Sequence, residues 1–338
     1  TTSVYFQEVD HLARGMNYQY SEACRIVGQS TKQQEVKSLL LRLSSSLATG
    51  EPEAEFISHE TRVQAEFYGN AYERNLESLR KWTDAFSALI VSSVLIIVVA
   101  AISAVIYDLG TNFVTGLVGV MVCISGMGTW MLYRTAPQET KELHESQGSR
   151  NQRLPRILFI GLMPSALVAG ALLGAMGVSM GWILMVVAAL LLPIGVVAMR
   201  FDAAVTKQDN DIGTFLRVLG TTASSIGTTP GEALSRIDLR SMDSLEPRIR
   251  RLHTWLRSRA RPELCWQRFV TETGSELINR AVQVFVDGVR LGGEAIEMGE
   301  KASLMTTQVN FLRAKRKLVS STFNWLSIAM HFTVVFHQ

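Results

Sequence analysis

AFSALIVSSVLIIVVAAISAVIY, residues 85–107, contains no Lys, Arg, Asp or Glu in 23 positions. As a helix rising roughly 1.5 Å per residue it reaches about 35 Å, enough for the ~30 Å hydrocarbon layer of a bilayer. A backbone in lipid must satisfy its own hydrogen bonds, so the run is read as a transmembrane helix. Three further runs have the same character, at 113–133, 157–176 and 182–199. Residues 85–133 and 157–199 hold no Lys or Arg, and their one acid is Asp108. The connectors at 108–112 and 177–181 are short, so each pair of runs closes into a helical hairpin. The 338-residue chain is 47% hydrophobic and only 19% charged, with a mean hydropathy of +0.17. Soluble domains carry about 25% charge, and the shortfall is concentrated in these runs.

Basic residues set the orientation. Arg80 and Lys81 precede the first run, and Arg134, Lys141, Arg150, Arg153 and Arg156 fill the connector between hairpins. Arg200 and Lys207 follow the fourth run; Arg313, Lys315, Arg316 and Lys317 precede a last apolar stretch. Neither hairpin tip has a Lys or Arg. The positive-inside rule then places every polar segment in the cytoplasm. Cys24, Cys123 and Cys265 have no CxxC or metal-ligand spacing, which agrees with a reducing compartment.

The polar segments read as helical. Val36, Leu39, Leu40, Leu43 and Leu47 share a helical face within 31–49, and Gly50-Glu51-Pro52 is a stop and restart. A long helix from Glu53 to Lys81, with Phe56, Val63, Phe67, Ala71 and Leu79 inward, is expected to run into the first span. Further helices are expected at 211–226, 231–239, 245–258, 262–270 and 274–291. Pro164 and Pro193 are expected to kink their helices. The expected fold class is all-α, a polytopic membrane protein with two cytoplasmic helical bundles alternating with transmembrane hairpins. The segments are a bundle at 1–81, hairpin one at 85–133, a linker at 134–156, hairpin two at 157–199, a second bundle at 200–318, and the start of another span at 320–338. The first bundle is expected to be N-terminally shortened and further spans to follow Gln338. The order of soluble helices, hairpin, soluble helices and membrane again reads as a duplicated unit.

Chemistry-bearing motifs are scarce. There is no GxxxxGK[ST] loop, so the chain carries no P-loop nucleotide site, and no GxGxxG or HExxH occurs. The six histidines have no ligand spacing. Gly177-Val178-Ser179-Met180-Gly181 fits GxSxG, but that nucleophile elbow needs a strand before it, and here it falls between two membrane runs. No ionisable residue interrupts the spans, which argues against a transport path. The expectation is a non-enzyme without cofactor or metal. Gly170, Gly174, Gly177 and Gly181 have GxxxG spacing, which permits close helix approach. Its ordinary reading is internal packing; the sharper one is a seam for a second copy or a small substrate helix.

Charge is uneven between the polar segments. Residues 1–80 carry 8 Lys/Arg and 11 Asp/Glu, whereas 236–268 carry nine arginines against four acids. Such a run is either a solvated helix face, a contact for anionic lipid, or a dock for an acidic cytoplasmic partner. Nucleic acid fits poorly, because Trp255 and Trp266 are the only aromatic interleaving of note.

Two stretches carry a family resemblance: Leu40 to Pro52, LLRLSSSLATGEP, and Glu272 to Gly293, which includes Thr273-Gly274-Ser275-Glu276 and Phe285-Val286-Asp287-Gly288. They resemble the F-domains of type II secretion and type IV pilus inner-membrane proteins. The Gly-Glu-Pro junction, Pro262-Glu263-Leu264-Cys265-Trp266 and the run from Trp325 to His331 are most similar to the archaeal pilus and archaellum platforms. The resemblance implies a membrane platform on which pilin or archaellin subunits are assembled, driven by a cytoplasmic hexameric secretion ATPase. Membrane lipid and a second copy of the chain are further expected partners. Arg248, Arg250, Arg251, Arg257, Arg259 and Arg261 are the expected ATPase dock; Gly170, Gly174, Gly177 and Gly181 are the expected pilin path. A membrane sensor or scaffold with the same topology, and less so a transporter, are the competing readings.

Overall fold

The computed structural model describes residues 2–107, 111–136, 139–141, 143, 150–176, 180–240, 242–258 and 260–336. Among them every regular element is helical. In chain order these are α1 (Thr2–Asp10), a π-helical turn (His11–Gly15), α2 (Tyr20–Ser30), α3 (Gln34–Thr49), α4 (Glu53–Tyr107), α5 (Thr111–Thr135), α6 (Arg150–Ala175) and α7 (Met180–Ile226). Then follow α8 (Pro230–Ala233), a 3-10 turn (Leu234–Arg236), α9 (Glu246–Arg257), α10 (Pro262–Thr273), α11 (Glu276–Arg290) and α12 (Ala295–Phe336). The chain divides into two compact units, Thr1–Lys81 and Trp82–Gln338.

In the first unit α2 and α3 pair, and α1 packs beside α2. Val9, Ala13, Ala23, Cys24, Val27, Val36 and Leu40 form its core, with Leu43 and Leu47 against it. Gly50 takes a left-handed conformation (φ 74°) that closes α3, and the Glu51 amide donates to the Ser46 carbonyl at 3.2 Å. Arg42 on α3 grips both oxygens of the buried Glu60 on α4. The inward face expected of α4 needs correction at Phe67, which is 63% exposed. The buried positions are Glu60, Tyr72, Leu76 and Leu79. Phe67 fits the 3.6-residue period, but periodicity does not say how much protein is there to cover it.

In the second unit two helices are long and apolar enough to cross a membrane: one within Glu53–Ala100, to which this unit contributes the part after Lys81, and one within Ala189–Ile226. Phe159–Leu173 is a shorter apolar helix. Leu95 is 63% and Ile106 66% exposed on α4, with Leu89, Ile96, Val98, Val99 and Ile102 exposed around them. An apolar surface that continuous is costly in water and belongs in lipid.

Helix α7 corrects the expected helix at 211–226, which begins far earlier. The apolar run and the polar helix that follows are one 47-residue helix, unbroken through Pro193. Helix α6 likewise runs through Pro164. The helix expected at 231–239 is only α8 and a 3-10 turn, because the Arg240 amide turns back to Asp238 Oδ1 at 3.0 Å. Helix α12, absent from the sequence reading before residue 319, packs along α7 as the central pair of the bundle. A Cβ on Gly299 would lie 2.6 Å from the Leu216 carbonyl oxygen, and one on Gly220 would overlap the Ala295 carbonyl. The two backbones therefore touch without side chains between them. Gly299→Leu is expected to push them apart and lower bundle stability by about 1–3 kcal/mol, read as a fall in melting temperature of the purified full chain.

Around this pair α9, α10 and α11 complete the core. Phe215, Phe269 and Phe285 are fully buried, and Trp266 meets Phe269 edge-on at 5.9 Å. Helix α11 turns Leu277, Ile278, Ala281, Val282 and Phe285 into this core.

Candidate functional site: an ionic junction and an arginine-bordered groove

Two places in the second unit concentrate polar chemistry. The first is where the connector between α5 and α6 meets the bundle. Asp209 on α7 is 1% exposed. Its carboxylate accepts a hydrogen bond from Ser275 Oγ at 2.5 Å and pairs with Arg313 Nη1 at 2.5 Å. Asn310 Nδ2 donates to the Asp209 carbonyl at 2.7 Å. The other edge of Arg313 faces Glu139 in the connector, with Nε at 2.8 Å and Nη2 at 2.7 Å from Oε1. The second oxygen of Glu139 is buried with no hydrogen-bond partner among the described residues. The connector is held further by Lys141 Nζ to Asp202 Oδ1 at 2.8 Å. Two backbone bonds flank Ser275: the Leu143 amide donates to the Gly274 carbonyl, and the Glu276 amide to the Lys141 carbonyl, both at 3.0 Å.

Sequence chemistry explains why these elements meet. Gly274, left-handed at φ 69°, ends α10, and Ser275 immediately caps α11 by accepting from the Ile278 amide at 3.3 Å. With that lone pair engaged, the Ser275 hydroxyl proton goes to Asp209. Burial pushes the Asp209 carboxyl above the ordinary aspartate value, against the pull of Ser275 and Arg313. Burial also works against the Arg313 guanidinium, but Glu139 and Asp209 outweigh it and hold Arg313 above its ordinary value. Ser275→Ala removes the cap and a hydroxyl donor of Asp209 together. The expected loss is about 2–3 kcal/mol, measured by thermal unfolding, with Ser275→Thr recovering part of it.

The junction gathers Glu139, Lys141, Leu143, Asp202, Asp209, Ser275, Asn310 and Arg313, and the sequence reading singled out none of them as a site. The one local signal was the Gly-Ser-Glu cap at 274–276.

The second place is a groove of about 780 Å³ between α8, α9, α10 and α11. Its apolar wall is made by Leu256, Trp266, Phe285, Val286 and Val289, and two arginines, Arg257 and Arg290, and two acids, Glu232 and Glu263, also line it. The expected arginine dock is not one surface. Arg248 turns inward: Nη1 donates to the Ser244 carbonyl at 3.2 Å and Nε to the Glu272 carbonyl at 3.4 Å. Burial, with the like charge of Arg251, holds its guanidinium below the ordinary arginine value. Arg250 pairs with Glu246 at 2.6 Å and Arg251 with Glu272 at 3.0 Å. Arg268 stacks over Trp255. Arg257 and Arg261 are exposed, and neither forms an ion pair among the described residues. Arg259 and Gly177 lie outside the described residues. Gly170 and Gly174 are on α6 and Gly181 on α7, two helices that pack side by side. Among the described residues no group of three His, Cys, Asp or Glu side chains could hold a metal ion.

No family model and no solved structure matches the chain. Flagella accessory protein J of Methanococcus voltae is 22% identical to it over 296 residues, a match that covers 84% of this chain and 53% of that protein. The chain thus spans about half the length of this curated relative. The kinship is distant, and it is with an archaeal flagellum-related protein. Together with the two membrane-length helices it marks the chain as membrane-associated.

Proposed function

We propose that the chain is the membrane platform of an archaellum-like or type IV pilus-like filament machine. In this reading it spans the membrane several times, holds both helical bundles in the cytoplasm, and couples a hexameric assembly ATPase to the insertion of pilin-type subunits. The chain itself catalyses nothing. Extracting a ~20-residue apolar pilin helix from lipid is uphill by on the order of 10 kcal/mol at ~0.3–0.6 kcal/mol per residue, so an energy source outside the chain is required.

The observation that carries this reading is the continuity of α7 and α12. Each runs unbroken from the core of the bundle into an apolar stretch, α7 over 180–226 and α12 over 295–336. A helix is stiff over such lengths, so a torque applied to the bundle tilts the apolar part as well. The ionic junction adds the connector to the same rigid body. A protein that must turn motion of a cytoplasmic motor into movement at lipid depth needs this kind of shaft. The kinship with a flagella accessory protein supports the same reading.

The test is a pull-down of the full chain from native membranes, with the bound ATPase and filament subunits identified, and deletion of the gene scored for loss of filaments. Co-purification of both partners is expected. Labelling of a cysteine at position 50 or 255 from outside intact cells would overturn the reading, because a bundle on that side cannot meet an ATP-driven motor.

A further inference from the structure

We infer that the part of the connector carrying Glu139, Lys141 and Leu143 is a releasable strap, clasped to the bundle at Glu139 and opening while the bundle stays folded. The inference stands on the ionic junction and does not need the platform reading.

The two sides of the junction are unequal. The bundle side is complete without the connector: the Asp209 carboxylate keeps Ser275 Oγ and Arg313 Nη1, and Asn310 keeps the Asp209 carbonyl. Those residues belong to α7, to α12 and to the cap of α11. Glu139 only adds to the set. It meets the other edge of Arg313, through the Nε and Nη2 that Asp209 does not use. When Glu139 leaves, no charge is stranded, because Asp209 still neutralises Arg313 and water takes the vacated edge.

The connector side holds on by little. Removing a carboxylate from water costs about as much as a buried ion pair returns, unless every oxygen is satisfied. Here one is not: Oε2 of Glu139 is buried with no hydrogen-bond partner among the described residues. Lys141 pairs with Asp202, whose side chain is 60% exposed, so solvent weakens that contact. Leu143 rests half-buried against the bundle core. Two backbone hydrogen bonds, donated by the Leu143 and Glu276 amides, complete the attachment. The bundle, by contrast, is held by fully buried rings at Phe215, Phe269 and Phe285. A segment with so few buried apolar contacts opens locally before such a core does.

Opening has a defined reach. Thr135 ends α5 four residues before Glu139, and four extended residues span about 14 Å. The clasped strap therefore keeps the end of α5 within that distance of the place where Glu139 sits. The open strap releases it from α12.

Amide hydrogen exchange of the full chain in nanodiscs, resolved to single residues by mass spectrometry, tests the strap. The Glu276 amide is the first of α11 and has no acceptor within that helix, so its protection comes from the Lys141 carbonyl. The Val282 amide, in the buried middle of α11, reports the bundle itself. Relative to the intrinsic rate of each amide, Glu276 is expected to exchange at least tenfold faster than Val282. Glu139→Gln removes the clasping charge and leaves Asp209, Ser275 and Arg313 in place. It is expected to speed Glu276 and Leu143 a further tenfold or more, with Val282 within twofold and the melting temperature nearly unchanged. Glu276 exchanging no faster than Val282 in the unmodified chain overturns the strap, since the connector is then a fixed part of the bundle. A Glu139→Gln chain in which Glu276 and Val282 speed up together, or neither does, overturns it as well.

Discussion

Arg313→Met is expected to destabilise the second unit by about 3–5 kcal/mol, the typical result of removing one partner from a buried ion pair. Methionine keeps much of the side-chain volume, so the loss is electrostatic. Asp209 at 1% exposure and Glu139 in the connector would both remain buried without their shared cation. The pH dependence has a definite sign. Burial already raises the Asp209 carboxyl above its ordinary value, and loss of Arg313 raises it further. A group whose folded value lies above its unfolded value contributes stability below the unfolded value and loses it as pH rises through the folded one. The variant should therefore be least impaired in acid and lose stability towards neutral pH. The unmodified chain, with its carboxyl held back by Arg313, should show less of this slope. Combining Arg313→Met with Asp209→Asn and Glu139→Gln should recover most of the loss, because no charge is then stranded. Melting temperatures of the three proteins at two pH values check all of this; equal deficits at both would mean that the junction is mere packing.

Of the four expected spans, two coincide with helices long and apolar enough to cross a membrane, and most helix limits were legible, because lipid imposes composition and helix ends impose Gly, Pro and Ser. Gly50-Glu51-Pro52 and Gly274-Ser275 are such ends, and the structure breaks its helices at both. Helix α12 was hidden for a physical reason. Small residues, Gly299, Ser303 and Thr306, lie against α7 and break up the apolar stripe of α12, although Met298, Ala302, Met305, Val309 and Leu312 do recur at spacings of four and three residues and were a signal the sequence reading missed. The ionic junction was hidden for another. Its members come from the connector, α7, α11 and α12, and a long-range ion pair leaves no spacing in the sequence. Arg248 was misleading in the opposite sense. It sits among exposed arginines in the chain, yet its guanidinium is spent on two backbone carbonyls. Density of charge in a sequence shows where arginines are, and only the fold shows which remain available.

Phe269→Ala is the second change expected to have a large effect, about 3–5 kcal/mol. Phe269 is fully buried and lies between two aromatic partners, Phe215 at 6.1 Å and Trp266 at 5.9 Å. Three helices meet in this aromatic cluster: α7 by Phe215 and α10 by Phe269 in direct contact, and α11 by Phe285, which faces Trp266 of α10 at 6.4 Å. Truncation leaves a void that the glycine-tight contact of α7 with α12 cannot close, since those backbones are already touching. The cost should thus fall in the upper part of the usual range rather than being relieved by collapse. Trp266 links this core to the groove wall, so the change should also reach that wall. Tryptophan emission should shift to the red as Trp266 loosens. Phe269→Leu keeps most of the apolar volume and should recover most of the melting temperature. A Phe269→Ala chain that melts normally would mean the three helices do not depend on one another through this ring. Motion could then not pass from the groove to α7 by that route.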